Sequence, residues 1–260
     1  MAANRHRRSR LTRREMLGLI GAVGVVFAGC DDDSGSGEAT STPGEASAAT
    51  ATAGATGTPA SSSVNCVVSP EMTEGPYFVD EQLNRSDIRS DPSDGSMSEG
   101  VPVTLNLKVL QVDGDACVPV SGAAVDIWHC DGEGLYSDVQ ANGTVGRKFL
   151  RGYQLTDESG ACQFTTIYPG WYMGRAVHIH VKVRTDPGSA QGHEVTSQFF
   201  FDDALSDQVY TEAPYNSRGS RDMLNADDNI YQGGGNQMLL DLTQEGDGYA
   251  GSFSLGLQMS

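Results

Sequence analysis

His178 and His180 stand two positions apart in "YPGWYMGRAVHIHVKV", Tyr168 to Val183, a stretch that otherwise reads as an apolar strand. On a strand, residues two apart share a face. His178, His180 and Lys182 therefore point one way, and Val177, Ile179, Val181 and Val183 the other. The valine face belongs in a core. The histidine face is either a solvated polar surface or a metal site, and imidazole suits zinc or copper. No HExxH motif is present, and the acids near the pair are too few for a carboxylate-rich centre. Two tyrosines change the chemistry. Tyr172 precedes His178 by six residues, across "MGRAV", enough for a tight bend. Tyr136 follows a Gly-rich loop in "WHCDGEGLYSD". Each alone reads as a half-buried ring with a wet hydroxyl. Together, two phenolates and two imidazoles make a donor set suited to ferric iron, which pulls a phenol pKa down from about 10.

The elements around these residues read as strands. "VPVTLNLKVLQVD" alternates Val103, Leu105, Leu107 and Val109 against Thr104, Asn106 and Lys108, the period of a half-buried strand. "AAVDIWHC", "FLRGYQLT", "CQFTTIY", "AVHIHVKV" and "TSQFFFDD" follow, separated by turn sequences such as "VDGD", "TDESG" and "YPG". No long helical period occurs. The expected fold is all-β, an antiparallel β-sandwich with long irregular loops. The polar stretch before Gly100 should wrap across it, and "YAGSFSLGL" should close it. Trp128 reads as core, and His129 as a structural or supporting histidine.

This domain is expected to span residues 64–260, after an export signal (1–30) and a linker (31–63). Residues 1–30 hold six arginines and a short apolar run ending in "AGC". That is a signal-like arrangement, too short to span a bilayer, with Arg13 and Arg14 placed as in a twin-arginine signal. Cys30 would be the lipidated N-terminus of a processed lipoprotein, the one expected membrane contact. Residues 31–63 contain no aromatic residue and are rich in Ser, Thr, Ala and Gly, the composition of a disordered tether. The whole chain carries a formal charge of −17; from Asp31 onward 33 acidic residues face 11 basic ones. So acidic a surface excludes nucleic acid as a partner. Cys66, Cys117, Cys130 and Cys162 allow three disulfide connectivities. Cys66 with Cys117 is the favoured pair, and Cys130 the cysteine expected to stay free.

"GPYF", "AAVDIWHCDGEGLYSD", "TIYPGWYMGRAVHIHVKV" and "TSQFFFDD", in that order, resemble the intradiol ring-cleavage dioxygenases, from about Cys66 to Asp203. The likeness is to exported, single-domain members, with no counterpart of the helical dimerisation domain of catechol-type enzymes. It implies a non-haem Fe(3+) held by Tyr136, Tyr172, His178 and His180, with Tyr172 the axial ligand that leaves when substrate binds. Arg175 matches the family's active-site arginine, and Gln198 the glutamine lining the same pocket. "RAVHIH" stands where many relatives have "RPAHIH". The implied reaction opens a catechol with O2 between its hydroxyl-bearing carbons, giving a cis,cis-muconate-type diacid. Parts of the sequence also resemble prealbumin-type modules, which leaves a non-catalytic binding domain as the alternative. A zinc hydrolase on the same strand is a further one.

Overall fold

The computed structural model describes residues 67–189 and 191–259. The expected signal, Cys30, the linker and Cys66 lie outside them. Two sheets form the sandwich. The first contains β1 (Pro102–Asp113), β2 (Ala116–Pro119), β5 (Ala161–Ile167), β8 (Leu242–Glu245) and β9 (Gly248–Leu257). The second has the order β4 (Arg151–Leu155), β3 (Ala124–Trp128), β6 (His178–Arg184), β7 (Glu194–Phe200). Pairing is antiparallel except between β1 and β9, which run parallel from Val103↔Tyr249 to Gln111↔Leu257. The alternation in β1 becomes burial: Val103, Leu105, Leu107 and Val109 lie in one core cluster with Val125 and Ile127 of β3 and Ile179, Val181 and Val183 of β6.

The polar arm before β1 hydrogen-bonds to an edge strand of each sheet. Tyr153 of β4 accepts from the Arg85 amide, and Thr165 of β5 accepts from the Ile88 amide. Those bonds cover two edges that would otherwise expose unpaired backbone groups. Helices are short, α1 (Asp203–Val209) and α2 (Asn229–Gln232). Among the described residues no helix is long and apolar enough to cross a membrane. Cys117 is disulfide-bonded, whereas Cys130 and Cys162 are free. The expected partner, Cys66, falls outside the described residues.

The arm is fastened at Asp91. Its carboxylate accepts from the Ser93 amide and hydroxyl, the Lys148 amide and Arg147 Nε, the last at 2.6 Å. Burial alone would raise this carboxyl, but those bonds hold it down at about 2. A depressed folded-state pKa gives stability that is present above the unfolded value of about 4 and lost as pH falls towards 2. The Asp91→Asn variant should therefore be up to about 2 kcal/mol less stable than the parent at pH 6. Denaturant unfolding at a series of pH values should show that gap closing below pH 4; a gap independent of pH would contradict the assignment.

Candidate metal centre

Strand register builds the floor of the site. His180 lies opposite Trp128 in β3 and Gln198 in β7, and Trp128 lies opposite Arg151 in β4. Directly opposed residues share a face, so Arg151, Trp128, His180 and Gln198 form one row across the four-stranded sheet, on the side away from the core. Trp128 is core, as expected, but on the outer face of this sheet and not between the two sheets. It packs in a separate cluster with Cys130, Tyr136 and Val139, and its indole stacks on His180 at 4.8 Å with 4° between the planes.

The histidine face is not wet. His178 and His180 are 2% and 1% exposed. Lys182, at the end of the same face, is buried against Phe78 and pairs with Glu74 and Glu194. The cover is the arm. Gly75 has φ +72°, and a Cβ there would come within 3.2 Å of the His180 ring, so both its conformation and its space favour glycine. Tyr77 lies 4.7 Å from Tyr136, centroid to centroid, and the Thr73 carbonyl accepts from Gln198 Nε2 at 2.8 Å.

Loops supply the tyrosines. Asp131 accepts from the amides of Glu133 and Leu135, folding the Gly-rich turn after β3. Tyr136 is then fixed by its amide to Asn142 Oδ1 and by its carbonyl to Thr144 Oγ1. Gly170 joins this loop to the bend carrying Tyr172: its amide donates to the Asp131 carbonyl, and a Cβ at Gly170 would strike that same oxygen. Arg218 stacks over Trp171 at 4.4 Å and bonds its carbonyl.

Four donor atoms converge. His178 Nε2 is 3.2 Å from His180 Nε2, 3.1 Å from Tyr172 Oη and 3.5 Å from Tyr136 Oη. His178 Nδ1 donates to the Ala176 carbonyl at 2.7 Å, which turns the Nε2 lone pair inward. Burial, with Arg175 second, pushes the His178 imidazole down to about 3, and burial, with His178 second, also lowers His180. Burial also pushes Tyr172 up to about 12 and Tyr136 upward. Two imidazole Nε2 atoms and two phenol oxygens face one another as a mixed nitrogen and oxygen donor set. The residues present fit ferric iron. Among the described residues no cluster of three or more His, Cys, Asp or Glu side chains could hold a metal ion.

Arg175 is no surface ion pair. Its Nε binds Asp228 at 2.8 Å, Nη2 donates to Gln198 Oε1 at 2.6 Å, and Nη1 lies 3.4 Å from His178 Nε2. Asp228 is 2% exposed and also accepts from the Ala176 amide. Burial would raise its carboxyl, but that amide and the Arg175 guanidinium hold it below the usual carboxylate range. The structure thus gathers Tyr136, Tyr172, Arg175, His178, His180 and Gln198 in one place. His129 stands apart, satisfied by the Cys130 carbonyl and Thr166 Oγ1. Sequence reasoning assigned no role to Asp228, Tyr77, Gly75 or Arg151. "GPYF" was the one legible signal among them, an aromatic pair behind a glycine in a polar arm.

Known proteins resemble this arrangement. The family described as "Dioxygenase" matches residues 73–229. The intradiol ring-cleavage dioxygenase from Tetranychus urticae superposes with a TM-score of 0.64 at 32% identity, covering 74% of this chain and 95% of that one. The dioxygenase domain of a carbohydrate-binding fusion from Streptomyces sp. SirexAA-E superposes at 0.54 with 27% identity, over 75% and 100% of the two chains. Catechol 1,2-dioxygenase 1 of Acinetobacter lwoffii is 27% identical over 50% of this chain, which spans 45% of that relative's length. With the strand order, the buried donor face and these likenesses together, the chain belongs to the intradiol ring-cleavage dioxygenase family.

Proposed function

We propose that this protein is a ferric dioxygenase that opens a catechol-type aromatic between its two hydroxyl-bearing carbons with O2, giving a cis,cis-muconate-type diacid. The convergence of two buried phenols and two imidazole Nε2 atoms carries the reading. Tyr136, Tyr172, His178 and His180 would hold the ion, which when bound supplies Lewis acidity towards the catechol oxygens. Tyr136 is the fixed donor, clamped by Asn142 and Thr144. Tyr172 is the donor with room to depart, since it is half-buried beside Met173, which is 83% exposed. Away from the ion its hydroxyl can keep a proton taken from the incoming catechol. Arg175, oriented by Asp228 and Gln198, presents a guanidinium to the anionic charge that the ring acquires, a contribution of a few kcal/mol in a water-poor site.

The test uses the protein loaded with ferric iron. A visible tyrosinate charge-transfer band and uptake of one O2 per ring opened, measured over a small panel of catechols, are the expected results. A colourless protein with stoichiometric iron would sink the reading and leave the non-catalytic sandwich. Stoichiometric zinc in the isolated protein would favour the hydrolase.

A further inference from the structure

Arg151 is 3% exposed, yet no carboxylate among the described residues pairs with it. Burial lowers its pKa, and Glu81 and Asp138 offset this only through space. Taking a guanidinium out of water without an ion-pair partner is unfavourable unless hydrogen bonds satisfy its donors. What Arg151 holds is the surroundings of Tyr136. Its Nε donates to Ser137 Oγ at 2.7 Å and its Nη2 to the Ser137 carbonyl at 2.5 Å. Its Nη1 reaches the Tyr77 carbonyl at 3.3 Å. Ser137 follows Tyr136 in the chain, is 0% exposed, and its hydroxyl donates to the Phe149 carbonyl at 2.6 Å. Tyr77 is the ring lying on Tyr136.

We infer that Arg151 is a positioning residue for Tyr136, fixing with one planar fork both the backbone behind that phenol and the ring that packs on it. The inference rests on the ferric reading of the site. The guanidinium is suited to the task because it presents several donors in a rigid plane, whereas lysine offers a single mobile point charge. Strand pairing supports the role, since Arg151 ends the row that carries Trp128, His180 and Gln198.

The experiment compares Arg151→Lys and Arg151→Gln with the parent, all loaded with ferric iron. Both variants should release iron to a chelator about tenfold faster or more, in line with the loss seen when an outer partner of a metal ligand is removed. Both should also show a shifted or broadened tyrosinate band, because the phenol meets the ion at a less defined angle. Asp157→Ala, which removes the acceptor of the exposed turn before β5 and touches neither the arm nor any of the four donors, should leave band and iron retention unchanged. A parental band with both Arg151 variants matching it, within twofold in iron release, overturns the inference while the ferric reading stands. A parent with no band at full iron content overturns both. If the glutamine variant does not fold, the lysine variant, which keeps the buried charge, decides by the same two readouts.

Discussion

Replacing Tyr136 with phenylalanine is expected to lower turnover by about 10³-fold or more, equivalent to about 4 kcal/mol of transition-state stabilisation. The reason lies in what the hydroxyl does and does not touch. Tyr136 is 1% exposed, and its Oη faces only the other donors, His178 Nε2 at 3.5 Å and Tyr172. No hydrogen bond that holds the loop runs through it, because the amide binds Asn142 and the carbonyl binds Thr144. Phenylalanine therefore fits the same space, at a cost in stability of under about 1 kcal/mol. Iron content, visible spectrum and oxygen uptake at matched metal loading separate the effects. The variant should fold, lose much of the tyrosinate absorption and turn over slowly. Colour and turnover within tenfold of the parent would show that Tyr136 is not a donor.

Asp228→Asn should carry the next largest effect, about 10²-fold in turnover together with about 3 kcal/mol of stability. Removing one partner of a buried ion pair leaves the other charge uncompensated, and Asp228 is nearly inaccessible beneath Arg175. The stability figure sits at the low end of the known range because Arg175 retains 17% exposure. Asparagine keeps an oxygen for the Ala176 amide but not the charge that fixes the guanidinium. Turnover falls because Arg175 Nη1, now 3.4 Å from His178 Nε2, is no longer held there. A double-mutant cycle tests this directly. Arg175→Gln on top of Asp228→Asn should add little to the loss in kcat, since both changes remove the same oriented charge. Additive losses would place Asp228 outside the catalytic arrangement.

Both predictions turn on residues of different legibility. Tyr136 could be nominated from the chain because donor chemistry is local: a phenol, a His-x-His pair and a second phenol on a bend are each visible as residue types at short spacing. The alternation in β1 and β6 was equally legible, because period-two burial is a property of the strand itself. The parallel β1–β9 pairing was not, since strand order depends on which edges meet after more than a hundred intervening residues. Asp228 was silent for a similar reason. It lies 53 positions from Arg175 in an Asn- and Asp-rich segment where one carboxylate looks like another. Trp128 was rightly read as core, but periodicity could not say that its cluster lies outside the sandwich, behind the donor face.

The sequence by itself thus determined the candidate donors, the strand faces and the family. Only the tertiary structure decided that the histidine face is dry, that Arg175 is tethered to Asp228, and that Arg151 stands behind Tyr136. The physical reason is that a donor's identity is a covalent fact, whereas its burial, orientation and charge partners depend on which distant segment folds over it. Here the covering segment is the polar arm, with Gly75 closing over His180 and Tyr77 over Tyr136.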